Sequence, residues 1–370
     1  MVSILGGGIA GTVLGGALAL RRYPVTVYER QPAPGTGAFL VLDAHAHRSL
    51  TELGVPLAAL HAASHPLASF RFHYRPEGSD TGPARGQRLY ERSALMRVLT
   101  DFAHSAGTDI RYGVGVSDID PATGALRAAD EELTGPGVVI AADGIDSLAR
   151  ARLEPDRTAL YARQVVIYGQ TTRAMDLPVD PAVMHFHGQL GEGPLPVSTF
   201  GYLWTETALF WFTRLTRTPV PVDDIGFHPT SEWANAIGAA DPTATTLIET
   251  ILAATDTIHV SNTRIVPLNN ARPPATPLIL CGDADHAITP AAVRGAREAI
   301  EDALALTKAL AAGDSPARAM SERRAVIASE RQEQARRAAA GAAAATDPEP
   351  DSGTDDFRDG MDPMTRMWFE

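Results

Sequence analysis

The feature that most constrains the fold of this chain is a run of glycines near its start, Gly6-Gly7-Gly8-Ile9-Ala10-Gly11. The apolar residues Val2 to Leu5 predict a buried strand before it, and the apolar and small residues from Ile9 to Leu20 predict a helix. The run fits the pattern G-x-G-x-x-G, whose glycines allow a tight turn, close approach of the backbone to a pyrophosphate, and close helix packing. Because the first N–H groups of the helix would face those phosphates, the sequence predicts a nucleotide site in a Rossmann-like α/β domain.

The second strand narrows the choice of nucleotide. Val25 to Tyr28 predicts this strand, and Glu29 follows it roughly 20 residues beyond the glycines, where an acidic group accepts from a ribose hydroxyl. An acidic residue here disfavours a 2'-phosphate, which leaves NAD or the adenosine half of FAD. The alternative, a glycine turn that packs a helix on a sheet without a ligand, leaves three consecutive glycines unexplained.

Composition restricts the class of protein. With 370 residues, 45% of them hydrophobic, the chain can bury the core of one large or two domains. Its formal net charge of -12 argues against a nucleic-acid partner and favours a small-molecule partner. The single cysteine, Cys281, excludes an internal disulfide and is compatible with a reducing compartment. We find no signal-peptide pattern and no stretch apolar enough to span a membrane, and we expect a cytoplasmic enzyme.

Two later motifs decide between the nucleotides. The apolar run Val138 to Ala142 leads into Asp143-Gly144, and Pro277 to Cys281 leads into Gly282-Asp283, with Arg294-Gly295-Ala296 opening a long helix through Leu310. In this order and at these separations, the three motifs resemble those of the FAD-dependent aromatic hydroxylases, the single-component flavoprotein monooxygenases typified by para-hydroxybenzoate hydroxylase. The resemblance covers roughly Val2 to Leu310.

The resemblance implies a role for each motif. The first motif would hold the ADP half of FAD, the Asp-Gly motif would serve FAD and the approach of the nicotinamide coenzyme, and Asp283 would accept from a ribityl hydroxyl. Pro290 would line the flavin ring, and Arg92 would reach the phosphates or the ribityl chain unless it is a surface arginine. A helix that begins near Gly295 would direct its N–H groups at the flavin N1/C2 edge. The predicted cofactor contacts are Gly6, Gly8, Ile9, Ala10, Gly11, Glu29, Arg30, Arg92, Asp143, Gly144, Gly282, Asp283, Pro290, Gly295 and Ala296.

The chain departs from the family at the third motif. Where relatives commonly have Gly-Gln-Gly, this chain has Val293-Arg294-Gly295, and Arg297 replaces an asparagine. These two arginines could stabilise a reduced anionic flavin or an acidic substrate, or they could pair with Glu298 and Glu301. Asp285 stands where a small residue is usual, whereas His286 matches the common histidine.

The pattern of predicted strands divides the chain. We predict an FAD-binding α/β domain from residues 1–158 and 264–345, interrupted by a substrate-binding domain of residues 159–263. Alternating apolar runs in that insertion predict a mostly antiparallel sheet. Residues 346–370 are acidic and predict a flexible tail.

The insertion contains the candidate substrate residues. His185 and His187 are weak candidates for a general base, because histidine titrates near neutral pH; the alternative is a structural role. Trp204, Trp211 and Phe212 could line an apolar substrate pocket, and core packing explains them equally well. The pairs His45/His47 and His185/His187 lack further ligands at metal spacing, so we expect no metal site.

The function implied by the resemblance is that of an FAD-dependent monooxygenase, which uses NAD(P)H and O2 to hydroxylate a small aromatic or polycyclic substrate through a C4a-hydroperoxyflavin. The alternatives are a flavoprotein oxidase, dehydrogenase or reductase of the same fold, and a non-catalytic FAD-binding partner protein. The substrate, the choice between NADH and NADPH, the roles of Arg294 and Arg297, and the oligomeric state stay open at this point.

Overall fold

A computed structural model describes residues 1–35, 37–74, 79–129, 131–133, 137–173, 180–189, 197–205, 207–290 and 293–344. The predicted tail, 346–370, lies outside the described residues. No helix within the described ranges combines the length and the hydropathy needed to cross a membrane.

The elements follow one another as short strands and helices. The strands are β1 (Val2–Leu5), β2 (Val25–Glu29), β3 (Phe39–Leu42), β4 (His65–Pro66), β5 (Ser69–His73), β6 (Asp80–Pro83), β7 (Arg88–Glu91), β8 (Asp109–Tyr112), β9 (Asp118–Ile119), β10 (Leu126–Ala128), β11 (Glu131–Glu132), β12 (Val138–Ala141), β13 (Leu160–Thr171), β14 (Val183–Gln189), β15 (Ser198–Trp204), β16 (Leu209–Thr216), β17 (Gly226–Pro229), β18 (Thr257–Ile265) and β19 (Leu278–Leu280). The α-helices are α1 (Ile9–Leu20), α2 (Ala44–Leu53), α3 (Leu57–Ala62), α4 (Arg92–Ser105), α5 (Leu148–Leu153), α6 (Thr230–Gly238), α7 (Thr245–Ala253), α8 (Asp283–His286), α9 (Gly295–Ala312) and α10 (Pro316–Ala344).

The described chain forms two compact units. The first contains Met1–Ser64, Arg88–Leu160 and Arg264–Glu330, and the second contains His65–Gln87, Tyr161–Thr263 and the part of α10 from Arg331. The segment His65–Gln87, which the sequence analysis included in the FAD-binding domain, clusters with the second unit. The reason is that β5 pairs in parallel with β14, over a separation in sequence of more than a hundred residues.

The first unit is built on a parallel sheet with strand order β19-β12-β1-β2-β8. Helix α1 contacts α4 and α9, and it buries Val13, Leu14 and Leu18 completely. A parallel sheet with a helix immediately after its central strand is the Rossmann-like arrangement, so the predicted α/β class is confirmed.

The second unit is built on the sheet β17-β18-β13-β16-β15-β14-β5-β6. The pairs β17/β18, β13/β16, β15/β16, β14/β15 and β5/β6 are antiparallel, and the β14/β5 pair is parallel. Side chains alternate between its two faces. One face, here called the helix-covered face, packs Val165, Ile167 and Trp211 with residues of α6 and α7. The predicted mostly antiparallel second sheet is therefore confirmed.

Candidate functional site

Four predicted cofactor segments come together at one edge of the parallel sheet. The glycine run follows β1, Glu29 ends β2, Asp143 follows β12, and Gly282 follows β19. These strands are neighbours and run parallel, so their carboxyl ends lie at the same edge. Chain order reverses at β1, whose neighbours are β2 and β12, and such switch points are where open α/β sheets bind ligands.

The glycine run makes the tight turn that its sequence predicts. Gly11 lies directly against the carbonyl oxygen of Gly6, where any Cβ would clash. Gly6 in turn lies against the carbonyl of Ala142, which joins this turn to the segment that carries Asp143. A Cβ at Gly8, by contrast, would meet no atom within 4 Å. The first turn of α1, with Ile9 and Ala10, therefore begins beside open space, and helix N-termini carry unsatisfied N–H groups.

Glu29 is held in place by two backbone groups. Its Oε2 accepts from the N–H of Gly7 at 2.6 Å, and its Oε1 accepts from the N–H of Gln31 at 2.8 Å. A carboxylate has about four acceptor positions, so each oxygen keeps capacity for a further donor such as a ribose hydroxyl. The next residue, Arg30, is exposed.

Asp143 carries an acceptor atom without a donor. Its Oδ2 accepts from the N–H of Ala149 at 3.2 Å, whereas its Oδ1 is buried and has no hydrogen-bond partner in the part of the chain that the structure describes. Burial raises the pKa of this carboxyl, and the hydrogen bond from the N–H of Ala149 opposes that rise. A buried acceptor left unpaired is costly, so this atom is a candidate to receive a ligand hydroxyl or N–H. A Cβ at neighbouring Gly144 would meet no atom within 4 Å.

The third motif reaches the same edge. Gly282 has φ +60°, a backbone conformation that favours glycine, and a Cβ there would lie 3.6 Å from the Cβ of Ala10. Asp283 begins α8, and its Oδ1 lies 3.8 Å from the position of a Cβ on Gly295, the first residue of α9. Arg150 joins this segment to the Asp-Gly motif, since it donates to the carbonyls of Ala284 and Ile145 at 2.8 and 2.6 Å.

For the predicted cofactor contacts Arg92, Pro290 and Ala296, the structure gives less evidence of a place at this edge. Arg92 begins α4, and its side chain packs against Gly37. A Cβ added to Gly37 would lie only 2.9 Å from Cδ of Arg92. Pro290 is exposed between α8 and α9, and Ala296 packs partly buried against the core of the first unit.

Arg294 and Arg297 form ion pairs with acidic residues. Arg294 pairs with Glu330 and lies 3.9 Å from Glu298. Arg297 pairs with Asp43 at 2.9 Å and lies 3.8 Å from Glu301. This arrangement agrees with the pairing alternative given for both arginines.

The residues at this edge fit the FAD that the sequence predicts. The orphaned Oδ1 of Asp143, the open space in front of Gly8 and Gly144, and the acceptor capacity of Glu29 suit a nucleotide that carries hydroxyls and phosphates. Asp143, Gly8, Gly144 and Glu29 follow or end three adjacent strands, and this proximity is the evidence for a cofactor site.

The second sheet separates the three predicted substrate residues. Trp204 and Trp211 lie on the helix-covered face, and the buried indole of Trp211 donates to Thr255 at 3.0 Å. Phe212 lies on the opposite face, because successive residues of β16 point to opposite sides. The structure thus favours core packing for Trp211 and leaves Phe212 as the substrate candidate.

The opposite face, here called the aromatic face, carries an apolar cluster. Phe72 and Phe186 stack with centroids 5.0 Å apart, and Phe212 packs edge-on to Phe186 at 6.1 Å. Phe212 lies over Gly201, whose missing side chain leaves room for the ring. Planar apolar groups could be recognised by such a face.

Arg214 on the aromatic face was missed by the sequence analysis. Its guanidinium lies 5.7 Å from the centre of the Phe212 ring, and its side chain is only 2% exposed. Among the described residues, its Nε, Nη1 and Nη2 have no hydrogen-bond partner, and neither has the buried hydroxyl of Thr199, directly opposite on β15. Alternation along Leu209–Thr216 places Phe210, Phe212 and Arg214 on one face, which is the sequence signal that could have revealed it.

His185 and His187 lie on the helix-covered face with His73. The rings of His185 and His187 lie within 9° of parallel to the ring of His73, and ring nitrogens of the three residues lie within 4.8 Å of one another. Nε2 of His73 lies 3.1 Å from Nδ1 of His185, so these two rings meet through their nitrogens. His73 is thus a third potential metal ligand beside the pair His185/His187, which the sequence did not indicate. Burial and the neighbouring His73 lower the pKa of His185 to about 3 and of His187 to about 4, so both are neutral at pH 7. The structure does not bring these histidines together with Phe212 or Arg214.

Comparisons with known sequences point to the same kind of protein. A family model described as an NAD(P)-binding Rossmann-like domain matches residues 4–70. The 3-amino-4-hydroxybenzoate 2-monooxygenase PtnB3 of Streptomyces platensis is 26% identical over 330 residues, 85% of this chain and 80% of that protein. Kynurenine 3-monooxygenase of Salinispora arenicola is 26% identical over 198 residues, 48% of this chain and 43% of that protein. The chain therefore spans less than half the length of this second relative.

A solved structure shares the whole fold. The crystal structure of CtdE in complex with FAD and a substrate has a TM-score of 0.75 at 17% identity, over 100% of this chain and 97% of that chain. The chain is thus a sequence relative of monooxygenases, and the resemblance predicted from its three motifs is confirmed.

Proposed function

We propose that this relative of monooxygenases is an FAD-dependent oxidoreductase that uses NAD(P)H and O2 to oxygenate an anionic aromatic substrate. The observation that carries the proposal is the meeting of Gly8, Glu29, Asp143 and Gly282 at the carboxyl edge of the parallel sheet, with an orphaned acceptor among them. The names of the relatives, which include a hydroxybenzoate monooxygenase, support the reaction class.

Each part of this edge would bind a different part of the cofactor. The N-terminus of α1 would face the pyrophosphate, because its N–H groups and helix dipole favour an anion. Glu29 would accept from the adenosine ribose, and Asp143 Oδ1 and Asp283 would accept from other hydroxyl or N–H groups. The start of α9 at Gly295, with its positive dipole end, would stabilise negative charge on a bound group near Asp283.

When bound, FAD supplies the difficult chemistry, the acceptance of a hydride from NAD(P)H and the activation of dioxygen. The chain's own residues then have three tasks, to bind the ring system, to orient the substrate and to keep water out. Because the cofactor carries the redox step, the proposal requires no side chain that acts as an acid or base.

The aromatic face of the second unit supports this substrate class. A buried guanidinium without a partner is strongly unfavourable, and a carboxylate satisfies it with two parallel hydrogen bonds. Phe212 and Phe186 beside Arg214 offer contacts for a planar ring. We therefore assign Arg214 and Thr199 to the anionic group of an aromatic substrate, and Phe212 to its ring.

Substitution of Glu29 by alanine tests the cofactor site. The variant is expected to raise the Kd for FAD by about 10- to 100-fold, because it removes a charged hydrogen-bond acceptor. The Kd is measured from the quenching of flavin fluorescence. Glu29→Gln keeps an acceptor for the N–H of Gly7 and should lose less affinity. Asp109→Ala, on the adjacent strand β8, removes an exposed carboxylate and serves as the control. Equal Kd values for wild type and Glu29→Ala would contradict the assignment.

A flavoprotein oxidase or reductase of the same fold is the second candidate. It would use the same cofactor edge and differ only in the reaction of the reduced protein with oxygen. The relatives named above are monooxygenases, which favours the first candidate.

A further inference from the structure

A buried ionic cluster lies directly behind the Gly282-Asp283 turn. The imidazole of His286 is 2% exposed, with its Nε2 2.6 Å from Oδ2 of Asp302 and its Nδ1 3.5 Å from Oε2 of Glu298. Both carboxylates are buried, at 0 and 1% exposure. Burial alone would lower the pKa of His286, but the Asp302 and Glu298 carboxylates outweigh it and raise this pKa to about 10.

Asp302 also holds the backbone of the turn. Its Oδ2 accepts from the N–H of Gly282 at 3.0 Å, and its Oδ1 accepts from Nε of Arg323 at 3.1 Å. The carbonyl of Gly282 accepts from the backbone N–H groups of both Asp285 and His286 at 2.9 Å. The N–H of residue 282 is therefore fixed by the Asp302 carboxylate, which His286 contacts through its side chain, and its carbonyl is fixed by backbone groups of α8.

The conformation that this pair fixes is an unusual one. Gly282 has φ +60° and ψ −136°, and it packs against Ala10 at the start of α1 and Ala299 of α9. Without the Asp302 carboxylate, the buried N–H of Gly282 would lack an acceptor, which costs free energy. A backbone rotation that brings this N–H to another acceptor would remove that cost. Such a rotation would move Asp283, the next residue, relative to the start of α9.

We infer that Asp302, with His286 as its partner, is a positioning residue that holds the Gly282-Asp283 turn in the conformation that binds FAD. This inference rests on the proposed function for the identity of the ligand. It assigns a role to His286 of α8 and Asp302 of α9, two buried residues that are not among the predicted cofactor contacts.

A matched control is present in the residue immediately before His286. Asp285 is also fully buried and also pairs with an arginine of α10, since it binds Arg324 at 2.6 Å and Arg157 at 2.9 Å. Its carboxylate makes these ion pairs instead of a hydrogen bond to the N–H of Gly282. Loss of this carboxylate should therefore lower stability without releasing the turn.

The experiment compares FAD binding by the full-length wild type, Asp302→Leu, Asp302→Asn, Asp285→Leu and Asp285→Asn. Each protein is titrated with FAD below its own Tm, and flavin fluorescence gives the Kd while visible circular dichroism reports the surroundings of the bound flavin. Asp302→Leu is expected to raise the Kd at least about tenfold and to change the visible dichroism. Asp302→Asn, which keeps an acceptor for Gly282, should recover most of the affinity, and both Asp285 variants should stay within about threefold of wild type.

Equal Kd increases in the Asp302→Leu and Asp285→Leu variants would overturn the inference, as would an unchanged Kd in Asp302→Leu. If Asp302→Leu does not fold, His286→Gln replaces it, with the expectation of a raised Kd and an altered visible dichroism relative to Asp285→Asn. The wild-type titration separates the two proposals, because a wild type that binds no FAD overturns the proposed function itself, and the inference with it.

Discussion

Replacing Arg214 by methionine is expected to raise the Tm of the ligand-free chain and to abolish its response to anionic aromatic compounds. A buried charge without a partner costs free energy, and exchange for an apolar side chain of similar length removes that cost. We expect the free energy of unfolding to rise by about 1 to 4 kcal/mol. Hydroxybenzoates should raise the Tm of the wild type, because a ligand that binds only the native state stabilises it, and should leave the variant unchanged.

The corresponding neutral phenols and an exposed arginine supply the controls. Phenols lack the carboxylate and should raise the Tm of both proteins little and equally. Arg173→Met removes an exposed arginine of the same unit, paired with Asp256, and should change the Tm little. A Tm of Arg214→Met below that of the wild type would show that the guanidinium has a stabilising partner within the protein, and it would refute this assignment.

The histidine stack is expected to make the second unit sensitive to acid. The pKa values of His185 and His187 are lowered to about 3 and about 4, so below pH 6.5 the unfolded chain takes up protons that the folded chain does not. Their stabilising contribution is complete above pH 6.5 and is lost as the pH falls toward those values. Between pH 7.5 and pH 5 the loss is about 2 kcal/mol for each histidine, as an upper value.

Urea unfolding followed by tryptophan fluorescence measures this loss in the relevant unit, since Trp204, Trp211 and Trp233 all belong to it. His185→Phe can still stack on Tyr202 and cannot titrate, so its free energy of unfolding should fall about half as steeply with pH. His45→Gln changes an exposed histidine and should follow the wild type. A pH dependence unchanged in His185→Phe would show that this ring is not buried in its neutral form.

The parts of the fold that could be predicted from sequence are those set by local geometry. The turn at Gly6 to Gly11 has one backbone path, because a side chain at Gly11 would meet the Gly6 carbonyl. The strands that precede Asp143 and Gly282 were also recognisable, because each apolar run stops at a residue pair that suits a ligand-binding turn. The proposed nucleotide site at the carboxyl edge of the parallel sheet could therefore largely be predicted from three short segments of sequence.

The parts that could not be predicted depend on pairings between distant residues. Nothing in the segment Ser69–His73 indicates that it pairs with Val183–Gln189, and this pairing places His73 beside His187. Trp211 and Phe212 are adjacent in sequence, yet they lie on opposite faces of a sheet whose orientation the sequence leaves open. Likewise, Asp285 is an unexplained departure in the sequence and becomes a buried partner of Arg157 and Arg324 in the fold.

The central claim, that the chain is an FAD-dependent monooxygenase, is tested most directly by stopped-flow spectroscopy of the protein reconstituted with FAD. The bound flavin is reduced chemically without oxygen, the protein is mixed with oxygenated buffer, and visible spectra are recorded through reoxidation. The account predicts that one FAD stays bound per chain and that a transient blue-shifted absorption precedes the oxidised spectrum. Direct return of the oxidised spectrum would favour an oxidase or reductase, and a protein that binds no FAD would contradict the assignment of the glycine turn.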